Sequence, residues 1–122
     1  MASKTEKITE ILRGLRISSP DILGLAVVTI DGFLIAAVAP SEVDEELVAG
    51  ISTALLEVGE RISGELMQAP MQQIIVKSEK GYIILNAVGK ESVLVLLISG
   101  EAKLGLIFLE LQRMVPELQK VL

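Results

Sequence analysis

Four places in the chain carry residue types that could do chemistry. "GKES" at 89–92 offers a Gly-Lys pair of the kind that cradles phosphates, but a phosphate-binding loop also needs a glycine five residues before Gly89, and position 84 is Ile. The segment therefore reads as a hairpin turn. Glu57, Glu60 and Arg61 resemble an acid/base group, yet the chain has no His and no nucleophile placed to join them. Glu57 and Arg61 stand at i, i+4, the spacing of an ordinary exposed helix pair worth about 0.2–0.5 kcal/mol. Arg61 has the chemistry of an arginine finger acting in trans on a nucleotide held elsewhere, although a solvated charge on a helix face is the simpler reading. Asp31 and the run Asp44 to Glu46 have turn and helix-start duties, which weakens a metal site built from them. Tyr82, beside Gly81, reads as a strand packing residue. No catalytic, metal or cofactor-binding residues are expected.

Composition narrows the classes further. Eleven basic residues face sixteen acidic ones, for a net charge of −5, which is no footprint for nucleic acid. Two Phe, one Tyr and no Trp supply no platform for stacking bases. Without Cys there is no disulfide framework and no thiolate chemistry. "MASKTEKITEILRGL" is polar and periodic where a signal peptide would need an apolar run, so the expected location is the cytoplasm, with no membrane insertion. A length of 122 residues suits one domain, spanning 1–122, with a single core.

The elements that must position any site are readable from period and punctuation. Ser3 and Glu6 are placed as a capping box before a one-sided helix at 3–16. "LGLAVVTIDGFLIAAVAP" at 23–40 predicts strands at 24–30 and 33–38 around Asp31-Gly32, the two-residue signal of a type I′ hairpin. Neither strand leaves a wet face, so both are expected to be covered on both sides. Ser41 or Asp44 can cap a long helix at 43–67. "MQQIIVKS", "GYIILNAV" and "SVLVLLIS" are joined by turns too short for anything but an antiparallel meander. A last helix carries Leu104, Phe108, Leu111, Val115 and Leu118 on one stripe, with a kink or break expected near Val115 because Pro116 lies inside it. Placing the driest strands inside and polar strand three at an edge gives the order 2-1-5-4-3.

The second helix has more dry surface than one contact uses. Leu47, Ile51, Leu55, Val58, Ile62 and Leu66 form the face expected to meet the sheet. Beside it, Ala49, Ser52, Leu56, Gly59, Ser63 and Met67 widen the apolar and small arc to roughly 200°. The small residues would let another helix approach closely, so they are expected to form a homodimer interface. "IIV" at 74–76 is too apolar for an unprotected edge, so Gln72 to Lys77, including Ile74 and Val76, is expected to pair with its twin.

These stretches, with "EELVAGISTALLEVGERISGEL" and "AKLGLIFLELQR", resemble the Roadblock / dynein light chain family over nearly the whole chain, and most of all its stand-alone prokaryotic members. The resemblance implies an α+β fold related to profilin and longin: a three-layer α/β/α sandwich whose five-stranded antiparallel sheet has the long second helix on one face and the first and third helices on the other. It implies dimerisation through the second helix and third strand into a ten-stranded sheet. It also implies a non-enzymatic regulator or binding partner of a small Ras-like GTPase, as in bacterial gliding motility, or alternatively a scaffold subunit without effect on nucleotide turnover. On that reading Glu46, Gly50, Thr53, Glu57, Glu60 and Arg61, the polar residues turned away from the sheet, are the partner-binding face.

Overall fold

The chain begins with the predicted cap. In the computed structural model, which describes residues 2–122, Ser3 Oγ accepts the Glu6 N–H at 3.1 Å and starts α1 (Lys4–Ser18). There follow β1 (Ile22–Thr29), β2 (Leu34–Val38), α2 (Glu45–Met67), β3 (Gln73–Ser78), β4 (Gly81–Val88), β5 (Ser92–Ser99) and α3 (Leu104–Val121). The five strands form one antiparallel sheet in the order β2-β1-β5-β4-β3, as expected. No helix among the described residues is long and apolar enough to cross a membrane.

Strand period sorts the core into two layers. In β1 and β5, Leu25, Val27, Leu94, Leu96 and Ile98 face α1 and α3, which contribute Ile8, Leu12, Leu15, Ile107, Leu111, Met114 and Leu118. Their neighbours Ala26, Val28, Val93 and Val95 point to the other side, where α2 contributes Ala49 and Leu56. The two central strands are thus apolar on both faces because both faces are covered, one by two helices and one by a single helix. Tyr82 packs against the α1/α3 layer, the packing role expected of it.

Three local expectations are corrected. The Asp31-Gly32 turn is not type I′, which needs positive φ at both central residues. Gly32 alone has it (φ +94°). Gly32 N–H bonds to Thr29 O at 3.0 Å and Thr29 N–H to Phe33 O at 2.8 Å, which makes a three-residue loop closed by a left-handed glycine. Phe33 consequently lies outside β2 and is exposed.

In α3, Pro116 does not break the helix, which runs through to Val121. The proline ring sits at an exposed position while Met114 and Leu118, on either side, are anchored in the core, so packing keeps both halves helical despite the missing hydrogen bond. The buried stripe of α3 is also rotated, to Ile107, Leu111, Met114 and Leu118, with Phe108 and Val115 half-buried at its border.

Candidate functional site

The third correction concerns α2 and decides where the site lies. Asp44 caps the helix, its Oδ1 accepting from Glu46 N–H and Leu47 N–H at 3.1 Å each. At ~100° per residue the helix then presents three arcs. Ala49, Ser52 and Leu56 are buried against the sheet of their own chain. The apolar stripe Leu47, Ile51, Val58, Ile62 and Leu66 is 54% to 76% exposed.

The expectation is reversed for most of the helix: Ala49, Ser52 and Leu56 meet the sheet, and of the line expected there Leu55 packs against the core while Leu47, Ile51, Val58, Ile62 and Leu66 are open. The reason is distance. A sheet takes a helix closest where side chains are smallest, and at Gly59 the approach is close enough that an added methyl group would have to displace the tip of Ile74. Ala49, Ser52 and Leu56, expected at a dimer contact, are thus core residues of one chain.

The open stripe does not stand alone. Between it and β3 runs a groove lined by Val58, Ile62, Met67, Met71 and Ile74 among others. Its far side is β3, an edge strand whose Ile75 and Val76 are 43% and 39% exposed. Of the other residues expected at the contact, Gly59, Ser63, Gln72 and Ile74 line this groove, and Val76 follows along the same strand. The opposite edge, β2, is shorter, its pairing with β1 is irregular beyond Val27, and Pro40 follows soon after it; these are devices that discourage strand addition. β3 has an unbroken register with β4 from Gln73 to Ser78, with Lys77 as its single charged residue.

The third arc of α2 is polar and carries the residues expected to bind a partner. Glu46, Glu57, Glu60 and Arg61 are exposed and Thr53 is half-buried. Thr53 Oγ1 donates to Ala49 O at 2.9 Å and lies against Gly32 of the hairpin. Glu60 Oε2 accepts the Met71 N–H at 3.3 Å, tying the turn after α2 to the helix. Arg61 approaches Glu65 at 3.7 Å, a partner one turn on from the helix pair with Glu57 suggested by spacing.

Among the described residues no group of three or more His, Cys, Asp or Glu side chains could share a metal ion, and no buried side-chain polar atom lacks a hydrogen-bond partner. The Arg113 guanidinium on α3 is held above its ordinary value by its hydrogen bond and charge interaction with Glu110. That is an exposed helix pair, and it prepares no reaction.

An antiparallel sheet in this order, with one helix on one face and two on the other, places the molecule in the profilin-like class of α+β folds. LokiProfilin2, from its complex with rabbit actin, superposes with a TM-score of 0.70 at 16% identity over all of both chains. Residues 8–98 match the Roadblock/LC7 domain, and the chain belongs to that family. MglB of Myxococcus xanthus superposes with a TM-score of 0.89 at 19% identity, covering 99% of this chain and 91% of that one; at such identities the likeness is one of fold. Two uncharacterized proteins of Methanocaldococcus jannaschii are 34% identical over 92 residues, 75% of this chain and 80% of each relative.

Proposed function

We propose that the chain is a homodimeric, non-enzymatic binding module of the cytoplasm that engages a small Ras-like GTPase and alters its nucleotide turnover. The observation that carries the dimer is the continuity of the uncovered α2 stripe, the groove beside it and the open edge of β3. Full burial of a Val, Leu or Ile side chain is worth about 1.5–3 kcal/mol. Five such side chains left half or more exposed on one helix face are a large stake against a net folding stability of about 5–15 kcal/mol. A second copy, set with its own α2 across this one, covers the stripe, and β3 pairs with its twin to extend the sheet to ten strands.

The GTPase is supported by membership of the Roadblock/LC7 family and by the polar arc of α2, which this dimer leaves open on both chains. With no nucleophile or base assembled there, the chain acts by holding or reshaping its partner, and any effect appears as a change in the partner's own rate. The test is GTP turnover by the Ras-like GTPases of the same organism, with and without this protein, beside a direct binding measurement. A change in rate supports regulation; binding without a change supports the scaffold alternative; GTP hydrolysis by the purified chain alone overturns both.

A further inference from the structure

The open stripe of α2 has a symmetry of its own. With half-buried Leu55 included, Leu47, Ile51, Leu55, Val58, Ile62 and Leu66 follow one another at intervals of four, four, three, four and four residues, which reads the same in both directions. A twofold contact needs that property, because each helix must offer its twin the same face that it receives. Laid antiparallel with the axis between Leu56 and Glu57, the stripes set Leu47 against Leu66, Ile51 against Ile62 and Leu55 against Val58 of the second copy. The strand edge agrees. Gly59, which lies against Ile74 of β3, stands less than one turn from that axis, so a single axis serves both the helix contact and the pairing of the β3 edges.

Charge opposes the same contact. Between Ser41 and Gln68 seven carboxylates stand against Arg61 alone, a net −6 in a chain whose total is −5. The antiparallel register brings the first half of one helix and its approach, with Glu42, Asp44, Glu45 and Glu46 and a net −4, beside the second half of the other, where Glu57, Glu60 and Glu65 outweigh Arg61 for a net −2. Like charges therefore meet at both ends. Glu65 is the closest of them to the contact, since it stands eighteen residues and five turns from Leu47 and so shares its place at the border of the stripe. Helices packed side by side lie about 8–10 Å apart, near one Debye length at about 0.1 M salt and well inside it at about 0.01 M.

We propose that α2 joins its twin in this register and that the like-charged ends hold the dimer short of its full strength, so that the dimer tightens as salt rises. This rests on the dimer reading above. The sign is the useful part: a contact built on charge complementarity weakens with salt, and this one does the reverse.

The experiment is sedimentation equilibrium of the full chain between about 20 and about 300 mM NaCl, across which the dimer Kd is expected to fall about tenfold. Glu65→Lys is expected to lower Kd several-fold at low salt and to flatten its salt dependence. Glu6→Lys makes the same change of charge on α1, across the sheet from α2, and is expected to move Kd less. Crosslinking reads the register. The chain has no Cys, so Ile51→Cys and Ile62→Cys, oxidised as a mixture, are expected to give a covalent dimer that neither gives alone, because like positions lie about 16 Å apart along the helix, past the disulfide reach of about 7 Å. A Kd that is constant or rises with salt, or a Glu65→Lys effect no larger than that of Glu6→Lys, overturns the opposing charge. Ready crosslinking of Ile51→Cys with itself, or no mixed dimer, overturns the register. A mass of one chain at micromolar concentration and every salt removes the dimer reading itself.

Discussion

A Cβ built on Gly59 of α2 would stand 2.5 Å from Ile74 Cδ1 of β3. The helix lies close enough to β3 here that any side chain at position 59 must displace the tip of Ile74. The obstructing atom is the tip of a flexible side chain, so Gly59→Ala sets a small displacement of Ile74 against a gain in helix propensity of about 1 kcal/mol. Its net effect is expected to stay within about 1 kcal/mol in thermal unfolding. Gly59→Glu puts a carboxylate in the same gap and is expected to lower Tm by ten degrees or more, about 2–3 kcal/mol. A Tm for Gly59→Glu equal to wild type would show that α2 is not seated as described.

Leu56 is 6% exposed within one chain, while Val58 and Ile62 are exposed. Leu56→Asp is therefore expected to unfold the protein, whereas Val58→Asp with Ile62→Asp is expected to leave a folded monomer. Circular dichroism and sedimentation equilibrium read the two effects separately. A wild-type mass of one chain at micromolar concentration would remove the dimer.

Ile74 to Val76 bond to β4 on one side only. In the wild-type protein the outward amides of β3 are expected to be protected from hydrogen exchange by the twin strand, and to exchange about a hundredfold faster in the Val58→Asp, Ile62→Asp variant. Rapid exchange along all of β3 in the wild type would leave the edge unpaired.

Pro116 lies exposed within a continuous helix. Pro116→Ala restores an N–H in reach of the Gln112 carbonyl and gives up no buried contact. It is expected to stabilise the fold by about 1–3 kcal/mol, visible as a Tm several degrees higher. A lower Tm would mean that the ring has a packing role of its own.

Much of this molecule is legible in its residues. Apolar runs bounded by turn residues mark the strands and a period near three and a half marks the helices, the dryness of β1 and β5 places them at the centre, and the polar residues of β3 send it to an edge. Ser3 and Asp44 announce their helices because a cap is a contact between residues two or three apart. Local contacts of that kind are written in local sequence. The Asp31-Gly32 turn was legible as a turn but not in its type, because Asp-Gly suits more than one backbone path and only the pairing of Thr29 with Phe33 selects the three-residue loop.

The orientation of α2 belongs to the tertiary structure alone. Its sequence shows an apolar and small arc of roughly 200°, wide enough for two partners, and hydrophobicity gives both halves a claim to the sheet. Size decides between them: Ala49 and Leu56 join one buried cluster with Ala26, Val28, Val93 and Val95, and Gly59 lies against Ile74, while the larger side chains of the Leu47 to Leu66 stripe are left facing outward. The same rotation brings Leu56 of α2 into one buried cluster with Met71 of the segment before β3, residues fifteen apart in the chain that meet only once α2 is seated.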